Sequence, residues 1–156
     1  MAENLMNKYL SFRIGNEFYA IDIKHVKEIV IMTMDITEMP ETAEYFRGVI
    51  NLRGKIIPVI DVRCRFRMEP ITYDEKTCIV VLNVDGTETG FIVERVAEVL
   101  DIADNQISPA PKIGRKEDSR YIRGIGKVGD HVKIVLDVDK LLRDEDLEDI
   151  KEIVNS

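Results

Sequence analysis

The chain has 156 residues, of which 45% are hydrophobic and 33% are charged, a composition typical of a globular protein rather than a disordered one. Its formal net charge is −7, from 29 acidic and 22 basic residues. Because phosphate binding needs a basic face, this balance argues against nucleic acid as the main ligand.

The sequence carries no signal for secretion or membrane insertion. The N-terminal residues 1–12 lack a basic region followed by an apolar one, and no apolar run approaches the ~20 residues that a spanning helix needs. The two cysteines, Cys64 and Cys78, are too few and too irregularly placed for a disulfide framework or a zinc site. We therefore expect a cytoplasmic protein with reduced thiols.

The first predicted element in chain order is a β-hairpin. Strands are expected at 9–14 and 17–21, because the Gly-Asn pair between them is a two-residue turn signal. Asp22 is expected to cap a helical turn that runs into a strand at 28–32. A short helix opened by a proline is then predicted at 40–46.

A second hairpin is predicted in the middle of the first half. Two apolar runs, 49–52 and 56–60, flank Arg53 and Gly54. Glycine at this tip would supply the positive φ of a tight turn. The hairpin therefore presents a charged residue on an apolar support.

The second half of the chain predicts elements of the same kind. Strands are expected at 77–84 and 90–93, and the amphipathic piece ERVAEVL at 94–100 is expected to form a short helical turn. A proline-rich loop leads to further strands between 121 and 138. A C-terminal helix is predicted at 141–154, because apolar residues recur along one face.

The two halves are versions of one pattern. Segment 19–30 aligns with 89–100, and segment 45–48 aligns with 121–124. The strand ending VIDV at 59–62 likewise aligns with VLDV at 135–138. The offset between aligned segments changes in a loop, where insertions are tolerated. We therefore predict an internal duplication of about 70–76 residues.

The duplication defines the predicted fold. Each copy would supply about five short strands, which suits a small barrel and is too few for a sandwich. We predict a mainly β protein of two tandem five-stranded barrels with short helices and the C-terminal helix. The barrels are expected at 9–75 and 76–140, within a single domain that covers 1–156.

Features shared by both copies are expected to build the fold. Gly48 recurs as Gly124, each after an arginine, and Asp61 recurs as Asp137. We expect the glycines to allow close backbone approach at a strand and the aspartates to cap the turns that follow.

Features found in only one of the two copies are candidates for function. The tip of the second hairpin has no counterpart in the other copy, so its four residues are the leading candidates: Asn51, Leu52, Arg53 and Gly54. Arginine can bind a carboxylate through two hydrogen bonds or stack on a partner surface. The alternative is that Arg53 is an ordinary solvated turn residue.

Enzymatic chemistry is not predicted. The two histidines, His25 and His131, fit no catalytic arrangement, and the sequence has no H-E-x-x-H, C-x-x-C or glycine-rich phosphate loop. No catalytic site, metal site or cofactor is therefore expected, and function through surfaces is favoured.

Apolar residues near the helical turns are a second candidate surface. If the copies pack with pseudo-twofold symmetry, Val26 and Ile29 of one copy and Val96 and Val99 of the other could line a groove that accepts a helix. The alternative is that these side chains belong to the core between the barrels.

The motif NLRG at 51–54, followed by IIPVIDVR at 56–63, resembles the signature of the CheW family. The resemblance extends to FYAIDIKHVKEI near the start and to GFIVERVAEVL, ISPAP and YIRGIGKVGD later. Val62 stands where leucine is commoner, a conservative departure. The resemblance implies two five-stranded SH3-like barrels, in agreement with the duplication.

The resemblance implies a non-catalytic adaptor of bacterial chemotaxis. Its expected partners are the cytoplasmic tip of methyl-accepting receptors, the regulatory domain of the histidine kinase CheA, and other CheW copies. A stand-alone member is expected, recruited from the cytoplasm to membrane-associated receptor arrays, without nucleic acid or membrane insertion. The alternative is an SH3-like barrel module that binds a peptide or RNA outside chemotaxis.

The resemblance also implies which residues contact partners. Arg53 matches a position important for receptor and kinase coupling. Further positions implicated in these contacts are Val26, Glu28, Gly48, Gly90 and Gly124. All but Arg53 and Gly90 have counterparts in the other copy, so changes at the remaining positions are also expected to act through the fold.

Overall fold

The computed structural model describes residues 6–31, 36–38, 45–66, 68–84, 86–109 and 121–142. Within these ranges the strands are β1 (Lys8–Ile14), β2 (Glu17–Asp22), β3 (Val26–Ile31), β4 (Phe46–Leu52), β5 (Lys55–Asp61), β6 (Cys78–Val84), β7 (Thr87–Val93), β8 (Arg95–Asp101), β9 (Ile107–Ser108), β10 (Ile122–Val128) and β11 (His131–Leu136). The described helices are short, with 3-10 turns at Ile23–His25 and Asp104–Gln106 and α-helices α1 (Val62–Arg65) and α2 (Val138–Leu142).

The strands form two sheets, which confirms the prediction of a mainly β protein with two related units. The six-stranded sheet has the order β8-β1-β2-β11-β10-β9, and the five-stranded sheet has the order β3-β6-β7-β5-β4. Neighbouring strands run antiparallel except where β11 meets β2 and β5 meets β7.

Sheet membership does not follow the predicted division of the chain at 75/76. The hairpin β1–β2 lies in the six-stranded sheet with strands of the second half, and the hairpin β6–β7 lies in the five-stranded sheet with strands of the first half. Each half therefore contributes its first hairpin to the sheet of the other half. Each hairpin joins these strands on both sides, through the parallel pairs β11–β2 and β5–β7 and the antiparallel pairs β1–β8 and β3–β6.

The duplication is visible in the irregularities of the sheets. The β3–β6 register skips Lys27, and the β8–β1 register skips Ala97, which is the aligned residue of the second copy. The β4–β5 register skips Arg47, and the β10–β11 register skips its counterpart Arg123. Bulges at matched positions bend both sheets in the same places, as expected of two copies of one fold.

The shared aspartates cap the short α-helices, as predicted. Asp61 Oδ1 accepts a hydrogen bond from the Cys64 amide at 3.2 Å, and Asp137 Oδ1 accepts one from the Lys140 amide at 3.0 Å. Such caps satisfy amides that a helix start leaves without partners. Asp22 likewise caps the 3-10 turn that follows it.

The buried apolar side chains form three clusters, one of which spans both sheets. The largest spans both sheets, with Phe12 and Ile21 from the six-stranded sheet beside Val80 and Phe91 from the five-stranded sheet. A second cluster lies within the five-stranded sheet and a third within the six-stranded sheet. The principal core thus lies between the two sheets, so the sheets stabilise each other.

Four predicted elements differ from the structure or lie largely outside the described residues. Residues 94–100 were expected to be helical, but they form most of strand β8 at the edge of a sheet, where β-branched valines favour an extended chain. Strand β3 begins at Val26, two residues before the predicted start. The predicted helix at 40–46 lies outside the described residues except 45 and 46, and the helix at 141–154 does so except 141 and 142, which belong to α2.

Candidate interaction site at the β4–β5 hairpin

The tip of the β4–β5 hairpin is a two-residue turn. Leu52 pairs with Lys55, which leaves Arg53 and Gly54 as the turn residues, with φ of +53° and +85°. This is the positive-φ conformation that matches the twist of a hairpin, and glycine adopts it without strain. Asn51 Oδ1 accepts a hydrogen bond from the Gly54 amide at 2.9 Å, and the Leu52 side chain is buried. Asn51, Leu52 and Gly54 therefore build the turn, and Arg53 is the residue that it presents.

Arg53 binds Glu28 of strand β3 through two parallel hydrogen bonds. Nη1 lies 2.6 Å from Oε1 and Nη2 lies 2.7 Å from Oε2. The hydrogen bonds from Arg53 hold the pKa of the Glu28 carboxyl below its ordinary value, and the carboxylate raises the pKa of Arg53. The Arg53 side chain is nevertheless 71% exposed, so most of it remains accessible to a partner.

A second carboxylate beside this pair is also bound by cations. Glu88 of β7 accepts hydrogen bonds from the ammonium groups of Lys27 and Lys55, the latter at 3.4 Å. The hydrogen bond from Lys27, assisted by Lys55, lowers the pKa of Glu88. The charged cluster, defined as Lys27, Glu28, Arg53, Lys55 and Glu88, therefore holds three cations and two carboxylates on a protein of net charge −7.

Exposed apolar side chains lie on the strands that carry the charged cluster. Ile29 and Ile31 of β3 are 43% and 61% exposed, and Ile56 of β5, next to Lys55 in sequence, is 51% exposed. Large apolar side chains next to paired charges are typical of surfaces that bind other proteins.

The predicted apolar groove residues do not share one environment. Val26 and Val96 are partly buried and pack against the core cluster that spans both sheets. Ile29 and Val99 are exposed, but on β3 and β8, which are edge strands of different sheets. A groove formed by all four remains a prediction.

The predicted glycine positions are sites of close packing. A Cβ at Gly48, where φ is +137°, would lie 2.1 Å from the carbonyl oxygen of Thr37, and a Cβ at Gly124 would lie 2.5 Å from that of Ser108. At Gly90 it would lie 2.8 Å from a methyl group of Ile79. These contacts support the structural explanation of Gly48 and Gly124 and extend it to Gly90.

Arg53 and Glu28 were both candidates from the sequence, but their pairing was not predicted. The two residues are far apart along the chain, and no local pattern links them. The duplication indicates only that such a pair would be confined to the first copy: Glu28 recurs as Glu98, whereas Arg53 aligns with Gly129, which has no side chain. The remaining charged and apolar residues of this surface were not among the candidates, namely Lys27, Lys55, Glu88, Ile31 and Ile56.

The described residues contain no group of three or more His, Cys, Asp or Glu side chains placed to hold a metal ion. Nor does that part of the chain include a helix long and apolar enough to cross a membrane.

Comparison with known proteins identifies the family. The family model for the CheW-like domain matches residues 8–146. The chain is 36% identical to a chemotaxis protein CheW of Klebsiella aerogenes over 99% of this chain and 92% of that protein, and 36% identical to one of Thermotoga maritima over 86% and 87%. The crystal structure of the scaffolding protein TtCheW from Thermoanaerobacter tengcongensis matches with a TM-score of 0.81 and 36% identity, over 90% of this chain and 94% of that one. The chain therefore belongs to the CheW family of chemotaxis scaffolding proteins.

Proposed function

We propose that this protein is a non-catalytic chemotaxis adaptor that links methyl-accepting receptors to the regulatory domain of CheA. It would act in the cytoplasm and be recruited to membrane-associated receptor arrays. The observation that carries the proposal is the tip of the β4–β5 hairpin, where Arg53 is exposed and held in place by Glu28. Family membership supplies the chemotaxis context.

The geometry of the tip suits recognition of another protein. The bidentate pair with Glu28 fixes the Arg53 guanidinium, so less side-chain entropy is lost when a partner binds. The exposed isoleucines of β3 and β5 supply apolar area on the strands that carry the charged cluster. A partner with a carboxylate next to an apolar side chain would complement this surface.

The direct test is capture of purified partners, with a receptor tip fragment and the CheA regulatory domain used in separate experiments. We expect Arg53→Glu to weaken capture of at least one partner by tenfold or more, since it replaces the exposed cation with a carboxylate next to Glu28. Lys127→Glu is the matched control, because it reverses an exposed charge on the six-stranded sheet.

Two outcomes would contradict the proposal. Normal capture of both partners by a folded Arg53→Glu protein would remove Arg53 from the contact. Failure of the unmodified protein to capture either partner would favour a binding module that acts outside chemotaxis.

A further inference from the structure

The duplication allows one buried polar site to be compared with its counterpart. In the five-stranded sheet, Asp61 is only 2% exposed, and its Oδ2 accepts a hydrogen bond from the Tyr73 hydroxyl at 2.6 Å. Arg47 completes the site, with Nε 3.6 Å from the same oxygen and the guanidinium 6.0 Å from the centre of the Tyr73 ring. We call this set, Arg47, Asp61 and Tyr73, the tyrosine slot.

The counterparts of Arg47 and Asp61 line a cavity in the six-stranded half of the molecule. Arg123 and Asp137 both border a space of 270 Å³, and Asp137 is half-buried rather than fully buried. Asp137 Oδ1 accepts the Lys140 amide, as Asp61 Oδ1 accepts the Cys64 amide. Among the described residues, no side chain donates to Asp137, whereas the Tyr73 hydroxyl donates to Asp61.

The surroundings of this cavity define what it can accept. Asp22 and Asp139 add carboxylates, and Lys24, His25 and the guanidinium of Arg123 lie beside them. Arg123 also donates to the Tyr9 hydroxyl at 3.3 Å, and its other nitrogen lies 3.9 Å from Asp104. The mixture of acids and bases favours a neutral hydrogen-bond donor over a cation or an anion.

We propose that this cavity binds a tyrosine side chain of a partner polypeptide, in the manner in which the tyrosine slot holds Tyr73. The hydroxyl donates to Asp137, and the Arg123 guanidinium lies near the ring. The volume is sufficient, because an enclosed apolar cavity of about 150 Å³ already accepts a benzene ring, and Leu136 and Val138 supply the apolar part of this lining. The cavity belongs to the six-stranded half and shares no residue with the charged cluster, so this inference does not depend on the proposed function.

The proposal can be tested with amino acid amides on the full chain. N-acetyl-tyrosinamide, N-acetyl-phenylalaninamide and N-acetyl-lysinamide are titrated separately while amide chemical shifts are recorded by NMR. We expect the tyrosine probe to shift the amides of Arg123 and Asp137. It should bind about tenfold more tightly than the phenylalanine probe, because only tyrosine donates a hydrogen bond to the carboxylate.

Two variants locate the acceptor. Asp137→Asn retains an oxygen that can cap α2 but removes the charge, so we expect it to abolish the preference for tyrosine over phenylalanine. Asp139→Asn is the matched control, since it neutralises a different carboxylate of the same cavity and should retain that preference.

Several results would overturn the assignment. Equal or tighter binding of the phenylalanine or lysine probe would refute a tyrosine site. So would the absence of tyrosine-induced shifts at Arg123 and Asp137, or their restriction to the apolar cavity beside Tyr19. Unchanged preference in a folded Asp137→Asn protein would remove Asp137 as the acceptor.

Discussion

Arg53 combines a strained backbone conformation with a bidentate ion pair. It adopts a positive φ, which costs a residue with a Cβ some conformational energy, and it forms a bidentate ion pair across to β3. Lysine at this position would keep the charge but lose the second hydrogen bond. Glycine would remove the conformational cost of the positive φ but would lose both the charge and the hydrogen bonds. Exposed ion pairs contribute little to stability. A small contribution to folding is compatible with the binding role proposed for this residue.

The ion pair makes a prediction about the acidity of Glu28. Because the hydrogen bonds from Arg53 lower the pKa of Glu28, Arg53→Ala should raise that pKa towards its ordinary value. The stabilisation from the pair is present above the unfolded-state pKa and is lost as the pH falls through the lower folded-state pKa. An acid titration followed by carboxyl-carbon NMR measures the change.

The control for this titration is Lys55→Ala, whose ammonium contacts Glu88 instead of Glu28. It should leave the Glu28 pKa unchanged. An identical titration of Glu28 in the unmodified and Arg53→Ala proteins would show that the ion pair does not persist in solution.

At the scale of elements, β4 depends on a close backbone contact at Gly48. Thr37 and Val49 exchange two backbone hydrogen bonds of 2.9 Å, and Gly48 lies against the Thr37 carbonyl. The segment at 36–38 thereby covers part of the outer edge of β4. The contact recurs at Gly124 with Ser108, so in both sheets a glycine allows a short antiparallel segment to pair closely with the strand.

We predict that Gly48→Ala lowers the free energy of unfolding by about 2–4 kcal/mol, through both the positive φ and the overlap with Thr37. Gly54→Ala is the matched control, since Gly54 also has a positive φ but an added Cβ would meet no heavy atom within 4 Å beyond its chain neighbours. Gly54→Ala should lower the free energy of unfolding by only about 1–2 kcal/mol. Denaturant unfolding of both proteins gives the comparison, and equal losses would mean that the overlap with Thr37 is relieved cheaply.

Local sequence signals were sufficient for some elements and insufficient for others. The hairpin turns at 15–16 and 53–54 and the cap at Asp22 follow from the residues themselves, and all are present. Strand β8 was misassigned, because the spacing of Val96 and Val99 also fits a helical turn and only pairing with β1 selects the strand. The pairing of Arg53 with Glu28 could not be predicted, since it depends on how the sheet brings distant strands together.

At the scale of the whole molecule, Arg65 joins the two copies. Its guanidinium lies 4.9 Å from the ring centre of Tyr45 and 4.5 Å from that of Tyr121, and these tyrosines are equivalent in the alignment of the two halves. It also donates to the Tyr121 hydroxyl. Its own counterpart is Leu141, which is buried. One cation therefore lies between a matched pair of rings, one from each half.

We expect Arg65→Leu, which introduces the residue of the counterpart position, to lower the free energy of unfolding by about 1–3 kcal/mol, because two cation–π contacts are lost. Denaturant unfolding measures the loss. Arg53→Leu serves as the comparison and should cost much less, since its ion pair is exposed. Equal effects of the two substitutions would argue against a joining role for Arg65.

The reciprocal placement of the hairpins β1–β2 and β6–β7 bears on how such a chain can arise and vary. A single repeat that kept this placement of its first hairpin would exchange that hairpin with a second molecule and form an intertwined dimer. Joining two repeats in one polypeptide makes that trade intramolecular, so assembly no longer depends on protein concentration. Joining the repeats in one polypeptide also allows the two equivalent hairpin tips to acquire different residues. A homodimer would have to carry the same residue at both hairpin tips, whereas this chain has Arg53 at one and Gly129 at the other.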